Sequence, residues 1–247
     1  LSAQNGLLTL ADVSASTLLN ARTLTGGNIQ VGSATAGTGI SLSSAASILE
    51  QGSDAAADLT APSITLTSLS GVTGLELDAD QLQASVSGTG NIDLTDTAGT
   101  LLSINATSTA NGSITIQAQS GAIRANSVQA AGAGSDVALT ASAGDVRIDR
   151  VQAAGSVMIN AGGNVTDVTG DAADDLIAGE NSEIRAQRIA TSNALEVSVV
   201  NASLGVLATA AASGVSVRID GTVSPSNTLI KLNSPPGSVL FNGVPVP

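Results

Sequence analysis

Carboxylates are the main residue type in this chain that could carry chemistry. The 247 residues include 20 Asp and Glu, 8 Lys and Arg, and no His, Cys, Tyr or Trp. Acid–base and nucleophilic catalysis usually recruit His, Cys, Tyr or Lys, and the single lysine is Lys231. Catalytic triads that need His or Cys, and zinc sites built on those residues, are therefore excluded.

Two carboxylates are sufficient for glycoside hydrolysis. The chain offers three close pairs: Asp78/Asp80, Asp93/Asp96 and Asp174/Asp175. A sugar-cleaving groove normally also carries aromatic platforms and several basic residues, and the only aromatic residue here is Phe241. We interpret the pairs as solvated turn residues, assign no catalytic residue, and predict that the chain is not an enzyme.

Calcium is the other chemistry that carboxylates suggest. An acidic stretch occurs twice, with candidate ligands Asp54, Asp58, Asp171, Asp174 and Asp175. Oxygen-rich corners bind Ca²⁺ when six to eight oxygens converge. The nine-residue glycine–aspartate calcium repeat and the EF-hand spacing are both absent from the sequence. Solvated carboxylates are the favoured interpretation, Ca²⁺ is the alternative, and no other cofactor is predicted.

Short apolar–x–apolar strands recur along the chain and must position these carboxylates. Examples are Ile29–Val31, Ile114–Ile116, Val146–Ile148 and Val157–Ile159. Each is a period-2 pattern that places two aliphatic residues on one face. The strands begin about 10–12 residues apart, or twice that, and Gly, Ser, Asn and Asp fill the gaps. The first and third residues of each strand should point inward, and the middle residue, such as Arg147, outward.

This pattern predicts an all-β fold, a right-handed parallel β-helix (β-solenoid) with coils of about 20–24 residues. Nearly all of the 43% apolar content is Ala, Val, Ile and Leu, which suits regular stacking better than an aromatic-rich core. A sandwich or barrel is the alternative, but most strand runs are too short for Greek-key strands. Ten to twelve coils are expected over the chain.

A longer repeat overlies the short one. A shift of 117 residues brings residues 27–59 onto residues 144–176, and residues 54–59 onto residues 171–176. At a shift of 120, Gly74–Leu77 matches Ala194–Val197. Such a shared register indicates duplication of several coils as a block, with a small insertion between strands.

The end of the sequence differs from the rest. Five of the six prolines lie within residues 225–247, and proline cannot donate to a strand ladder. We therefore expect β-helix coils over residues 1–224, followed by a proline-rich segment that caps the rod or docks onto a neighbouring molecule. The residues expected to act in assembly are Pro235, Pro236, Phe241 and Val244.

Several phrases resemble a known family. Ala61–Thr67, Gly90–Thr95, Asn111–Ile123 and Gly155–Val165 are similar to the repeats of filamentous-haemagglutinin-type proteins, the large β-helical exoproteins of two-partner secretion. The resemblance spans roughly residues 25–220 and rests on degenerate patterns. It implies an extracellular or bacterial cell-surface location and a role in adhesion.

Charge limits the partners. With a net charge of −12, the chain lacks the clustered Lys and Arg that nucleic acid or an anionic membrane requires, and no apolar run is long enough for membrane insertion. We expect a structural rod that serves as an adhesin shaft or filament-forming subunit. Its partner would be itself, through end-to-end or lateral assembly, or a host or neighbour-cell receptor or glycan. The alternative is a β-helix that binds or cleaves polysaccharide with its corner carboxylates.

Overall fold

Short strands with alternating apolar and polar residues make up the computed structural model of the chain. The structure describes residues 1–190, 193–199 and 202–209, together with the backbone of strands at 215–223, 231–232, 238–241 and 244–245. No helix occurs in these described ranges. The strands are β1 (Ser2–Ala3), β2 (Leu8–Leu10), β3 (Val13–Ala15), β4 (Leu18–Thr23), β5 (Ile29–Val31), β6 (Ala34–Ala36), β7 (Gly39–Ser44), β8 (Ile48–Glu50), β9 (Leu59–Thr60), β10 (Ser63–Ser68), β11 (Val72–Asp78), β12 (Gln81–Val86), β13 (Ile92–Asp96), β14 (Leu101–Ser108), β15 (Ile114–Ala118), β16 (Ala122–Ala130), β17 (Val137–Ala141), β18 (Val146–Ile148), β19 (Val151–Ala153), β20 (Val157–Ala161), β21 (Val165–Asp167), β22 (Leu176–Ala178), β23 (Ser182–Ala186), β24 (Leu195–Val199), β25 (Leu204–Ala208), β26 (Val215–Val223), β27 (Lys231–Leu232), β28 (Ser238–Phe241) and β29 (Val244–Pro245).

The strands form two sheets, of 15 and 14 strands, and the chain alternates between them. Each strand pairs in parallel with the strand one coil away, so the fold is a β-solenoid of about nine turns. The expectation of ten to twelve coils is therefore too high. One reason is that coil length varies more widely than predicted: Leu66 pairs with Ala84, 18 residues later, whereas Val151 pairs with Leu176, 25 residues later.

The core lies between the sheets and is built from stacked aliphatic side chains. Val146 and Ile148 are fully buried while Arg147 is exposed, which confirms the predicted register. Ile159 is likewise buried and pairs with Leu139 on one side and Ile184 on the other. Because every coil repeats this arrangement, the apolar stacks run continuously along the axis.

Polar corners join the coils to one another. The side-chain oxygens of Asn91 and Asp136 accept the backbone N–H groups of Ser113 and Ser156, one coil away, at 2.9 and 2.7 Å. At another corner, a Cβ atom on Gly121 would collide with the carbonyl oxygen of Thr100 in the preceding coil. Glycine is therefore required there by the close approach of two backbones.

The two blocks related by 117 residues contain the same strands but lie on exchanged sheets. Strands β5 to β9 correspond one by one to β18 to β22. However, β5 and β8 belong to the 14-stranded sheet, and β18 and β21 to the 15-stranded sheet. Between β5 and β18 the chain crosses eleven times from one sheet to the other, an odd number, which explains the exchange.

The carboxyl-terminal segment is described only in part. Pro225, Pro235 and Pro236 lie outside the described residues. Phe241 ends β28, which continues the parallel ladder from β26, and Val244 begins β29, which pairs with β28 in the antiparallel sense. A capping or docking role for this segment stays a prediction. Among the described residues, no helix has the length and apolarity to cross a membrane.

Candidate functional site

Two loops interrupt the regular coils. Residues 51–58 separate β8 from β9, and residues 168–175 separate β21 from β22, whereas only two residues separate β5 from β6. Each loop contains the same turn: Asp54 accepts the N–H of Ala56, and Asp171 accepts the N–H of Ala173, both at 2.7 Å. Such local side-chain bonds stabilise turns against continuation of a strand. One loop therefore lies on each sheet.

Three carboxylates meet at the base of the first loop. Glu50 ends β8, Asp58 ends the loop, and Glu76 lies on β11 in the next coil; one oxygen from each lies within 4.8 Å of the others. Asp58 is 2% exposed, and its Oδ2 accepts the backbone N–H of Glu76 at 3.0 Å. Oε2 of Glu76 is buried and has no hydrogen-bond partner. We call these residues the first acidic cluster.

The second loop has an equivalent second acidic cluster, formed by Asp167, Asp175 and Glu196. Asp175 is 2% exposed, and its Oδ2 accepts the backbone N–H of Glu196 at 3.0 Å. Asp167 is also buried and accepts the N–H groups of Thr169 and Gly170 at 2.7 and 2.6 Å. The offsets from the first cluster are 117, 117 and 120 residues, so the block repeat carries the whole cluster.

Burial dominates the electrostatics of both clusters. It raises the pKa of Asp58 to about 7, with further contributions from the charges of Glu50 and Glu76. It raises the pKa of Asp175 to about 8, assisted by the charges of Asp167 and Glu196. In each case a backbone hydrogen bond opposes the rise but does not cancel it.

No positive side chain neutralises these carboxylates within the described ranges. The ion pairs found there are Arg147–Asp145 at 3.9 Å and Arg185–Glu183 at 2.6 Å, and neither includes a cluster residue. Each cluster offers at most six carboxylate oxygens, the lower limit for Ca²⁺ coordination. A proton shared between carboxyl groups would also reduce the charge.

The clusters contain two of the five residues predicted as calcium candidates. Asp58 and Asp175 lie at their centres, but Asp54, Asp171 and Asp174 are exposed and outside them. The sequence analysis did not select the remaining cluster members, which are Glu50, Glu76, Asp167 and Glu196. The signal was present, because the offsets that align Asp58 with Asp175 also align Glu50 with Asp167.

The three candidate carboxylate pairs are arranged differently from one another. Asp78 and Asp80 are both exposed and line a shallow depression of about 210 Å³. In the other two pairs, Asp93 and Asp174 are exposed while Asp96 and Asp175 are buried, so the partners differ in their access to solvent.

Asp96 is the most buried carboxyl outside the clusters. It belongs to an inward-facing stack between Leu77 and Ala118 and is completely inaccessible to solvent. Neither of its oxygens has a hydrogen-bond partner of standard geometry. Burial raises the pKa of Asp96 to about 6, although the nearby N–H groups of Ala79 and Ala98 oppose the rise.

Comparison of the chain with protein-family models, characterised proteins and solved structures finds no significant match in any of the three. The β-solenoid fold is therefore established by the pairing of its own strands. The similarity to filamentous-haemagglutinin-type repeats depends on the sequence phrases alone.

Proposed function

We propose that the chain is a structural rod of a secreted or cell-surface bacterial protein and serves as an adhesin shaft or filament-forming subunit. The observation that carries this proposal is the uninterrupted parallel ladder. Inward-facing residues in consecutive coils are fully buried, as in the stack Ile92–Ile114–Val137–Val157. A continuous stack of this kind makes a stiff element whose length is set by the number of coils.

The surface supports a rod better than an enzyme. The depression with two neighbouring candidate carboxylates, Asp78 and Asp80, has a volume of about 210 Å³. Ligand pockets usually measure about 300–1,000 Å³ and include aromatic side chains, and this depression has none. Adhesion and surface location are supported by the repeat phrases, the net charge of −12 and the absence of cysteine.

Electron microscopy of the purified chain tests the rod directly. Nine coils at a spacing of about 4.8 Å predict a rod roughly 40–45 Å long; end-to-end assembly would give filaments of the same width. Compact particles without a long axis would contradict the proposal. A matched comparison is the variant Ile159→Asp, which places a charge in the core stack and should abolish the rod.

Adhesion requires a separate measurement. Beads coated with the chain should attach to host cells or to neighbouring bacteria more strongly than beads coated with Ile159→Asp at equal density. If the two coatings attach equally, folded coils are not the adhesive element. If the rod forms but neither coating attaches, the shaft or filament role alone is supported.

The polysaccharide alternative has its own discriminating variant. Asp78→Asn/Asp80→Asn removes the exposed pair without touching the core, since both side chains are exposed. Glycan binding or release of reducing sugar by the natural chain, lost in this double variant, would replace the shaft proposal.

A further inference from the structure

We propose that the loops 51–58 and 168–175 are a pair of pH-responsive elements, each held against the rod by a proton shared within the acidic cluster at its base and released when that proton is lost. This inference goes beyond the rod function and does not depend on it. It rests on a buried geometry that occurs twice, once on each sheet.

The first step is the need for a proton in the first acidic cluster. Asp58 is 2% exposed, and oxygens of Glu50 and Glu76 lie within 4.8 Å of its carboxylate. Three charges at this separation, away from water, repel one another strongly. A proton between Asp58 and Glu76 removes one charge and converts a repulsive contact into a hydrogen bond. The buried Oε2 of Glu76, which has no other partner, supplies an acceptor.

The titration properties agree with this geometry. Burial raises the pKa of both Asp58 and Glu76 above their ordinary values, and the Glu50 charge raises both further. Because the groups interact, the proton belongs to the cluster rather than to one residue.

Other charged groups around the first acidic cluster do not change the conclusion. The paired strand β6 carries no charged residue, and β11 contributes Asp78 besides Glu76. Asp54 in the loop adds a further negative charge that raises the pKa of Glu76. All of these groups are acidic, so each favours retention of the proton.

The second acidic cluster has the same surroundings. Asp167 on β21 and Glu196 on β24 face Asp175, and the paired strand β19 carries no charged residue. Arg147 lies near Asp167 in a shared surface depression, but its guanidinium pairs with Asp145. The exposed Asp171 and Asp174 are the loop's own charges.

The second step connects the clusters to the loops. Oε1 of Glu50 accepts the N–H of Asp54 at 2.9 Å, so a cluster carboxylate is also an anchor of the first loop. Asp167 has the same role in the second loop, where it accepts the N–H groups of Thr169 and Gly170. Loss of the shared proton forces Glu50 or Asp167 away from the buried aspartate. The loop anchored to it then moves as well.

The loop ends remain fixed when this happens. The carbonyl oxygens of Asp58 and Asp175 accept the N–H groups of Ala34 and Val151 in the ladder, both at 2.7 Å. Release should therefore be confined to residues 51–57 and 168–174, while the coils stay intact.

Hydrogen exchange of the full chain in EDTA tests the proposal, since EDTA removes divalent cations as competing counter-charges. After correction for intrinsic exchange, protection of residues 51–57 should fall roughly tenfold per pH unit above pH 7. Residues 168–174 should behave likewise, starting about one unit higher. Amides of β12 and β14 should keep their protection. Loop protection that does not change with pH would overturn the proposal.

Two pairs of variants assign the effect to the clusters. In Asp58→Asn the first loop should lose its pH dependence and the second keep it, and Asp175→Asn should give the reverse. The controls are Asp54→Asn and Asp171→Asn, which preserve the turn acceptors outside the clusters and should leave both responses in place. A response that persists in both cluster variants would refute the assignment.

Carbon NMR titration of the natural chain covers the case in which a variant fails to fold. The Asp58 and Asp175 carboxyl carbons should titrate near 7 and 8 in EDTA. A midpoint of either that stays close to the ordinary value of about 4 would overturn the proposal.

Discussion

Glu76 donates its backbone N–H to Oδ2 of Asp58 at 3.0 Å, across the boundary between two coils. A backbone donor favours the ionised form of a carboxyl, whereas burial favours the neutral form. At Asp58 burial has the larger effect, and the pKa is raised. The ladder that stabilises the rod therefore also places a carboxyl where its charge is unfavourable.

The free energy of unfolding should fall as pH rises. The pKa values of Asp58 and Asp175 are raised in the folded state, to about 7 and about 8, so the folded chain binds more protons than the unfolded chain above pH ~4. Their contribution is fully present below pH ~4, decreases through neutral pH, and becomes constant above the folded pKa values. We expect a total loss on the order of 2–4 kcal/mol, measured by urea unfolding in EDTA between pH 5 and pH 9. The variant Asp58→Asn/Asp175→Asn should flatten the profile, and a profile rising over this range would contradict the prediction.

Replacing Asp96 by an apolar residue should stabilise the chain at neutral pH. Its carboxyl oxygens are buried without partners in an aliphatic stack, and a buried unsatisfied polar group costs about 1–3 kcal/mol. Urea unfolding of Asp96→Val should show a gain of this size. The control Asp93→Val, at an exposed position on the same strand, should change stability by less than about 0.5 kcal/mol. A clear loss in Asp96→Val would mean that the carboxyl has a stabilising partner.

Neighbouring residues on β20 should respond very differently to truncation. Ile159 is fully buried and Met158 is 55% exposed. Ile159→Ala should cost about 2–5 kcal/mol through loss of buried area and creation of a cavity, and Met158→Ala less than about 0.5 kcal/mol. Equal costs in thermal or urea unfolding would show that the inward and outward faces are misassigned.

Two corner glycines provide a matched pair. A Cβ atom at Gly121 would collide with the carbonyl oxygen of Thr100, whereas one at Gly99 would meet no atom within 4 Å. Gly121→Ala must push neighbouring coils apart and should lower stability by more than about 1 kcal/mol. Gly99→Ala should be neutral or slightly stabilising, because alanine reduces the freedom of the unfolded chain. Calorimetry of both variants checks the difference, and a tolerated Gly121→Ala would contradict the close coil approach.

The period-2 pattern was sufficient to predict which residues of a strand face inward, because strand geometry leaves only two directions. The same alternation places Asp96 on the inward face with Ile92 and Leu94, yet its polar side chain led to its interpretation as a solvated corner residue. The acidic clusters were harder to predict. Glu50 and Glu76 are 26 residues apart and meet Asp58 only through the pairing of β11 with β8 and β9, and coil lengths set by inserted loops determine that pairing.

The exchange of sheets between the two blocks has a consequence for symmetry. A block that reappears after an odd number of sheet crossings is related to its copy by roughly half a rotation combined with a translation, which is a local twofold screw axis along the rod. The elementary unit is therefore half a coil, about eleven residues long, and either sheet can accommodate it. A further copy at the same offset would return the loop to its original side, so the number of half coils in a repeat determines whether surface loops form one row or two opposed rows.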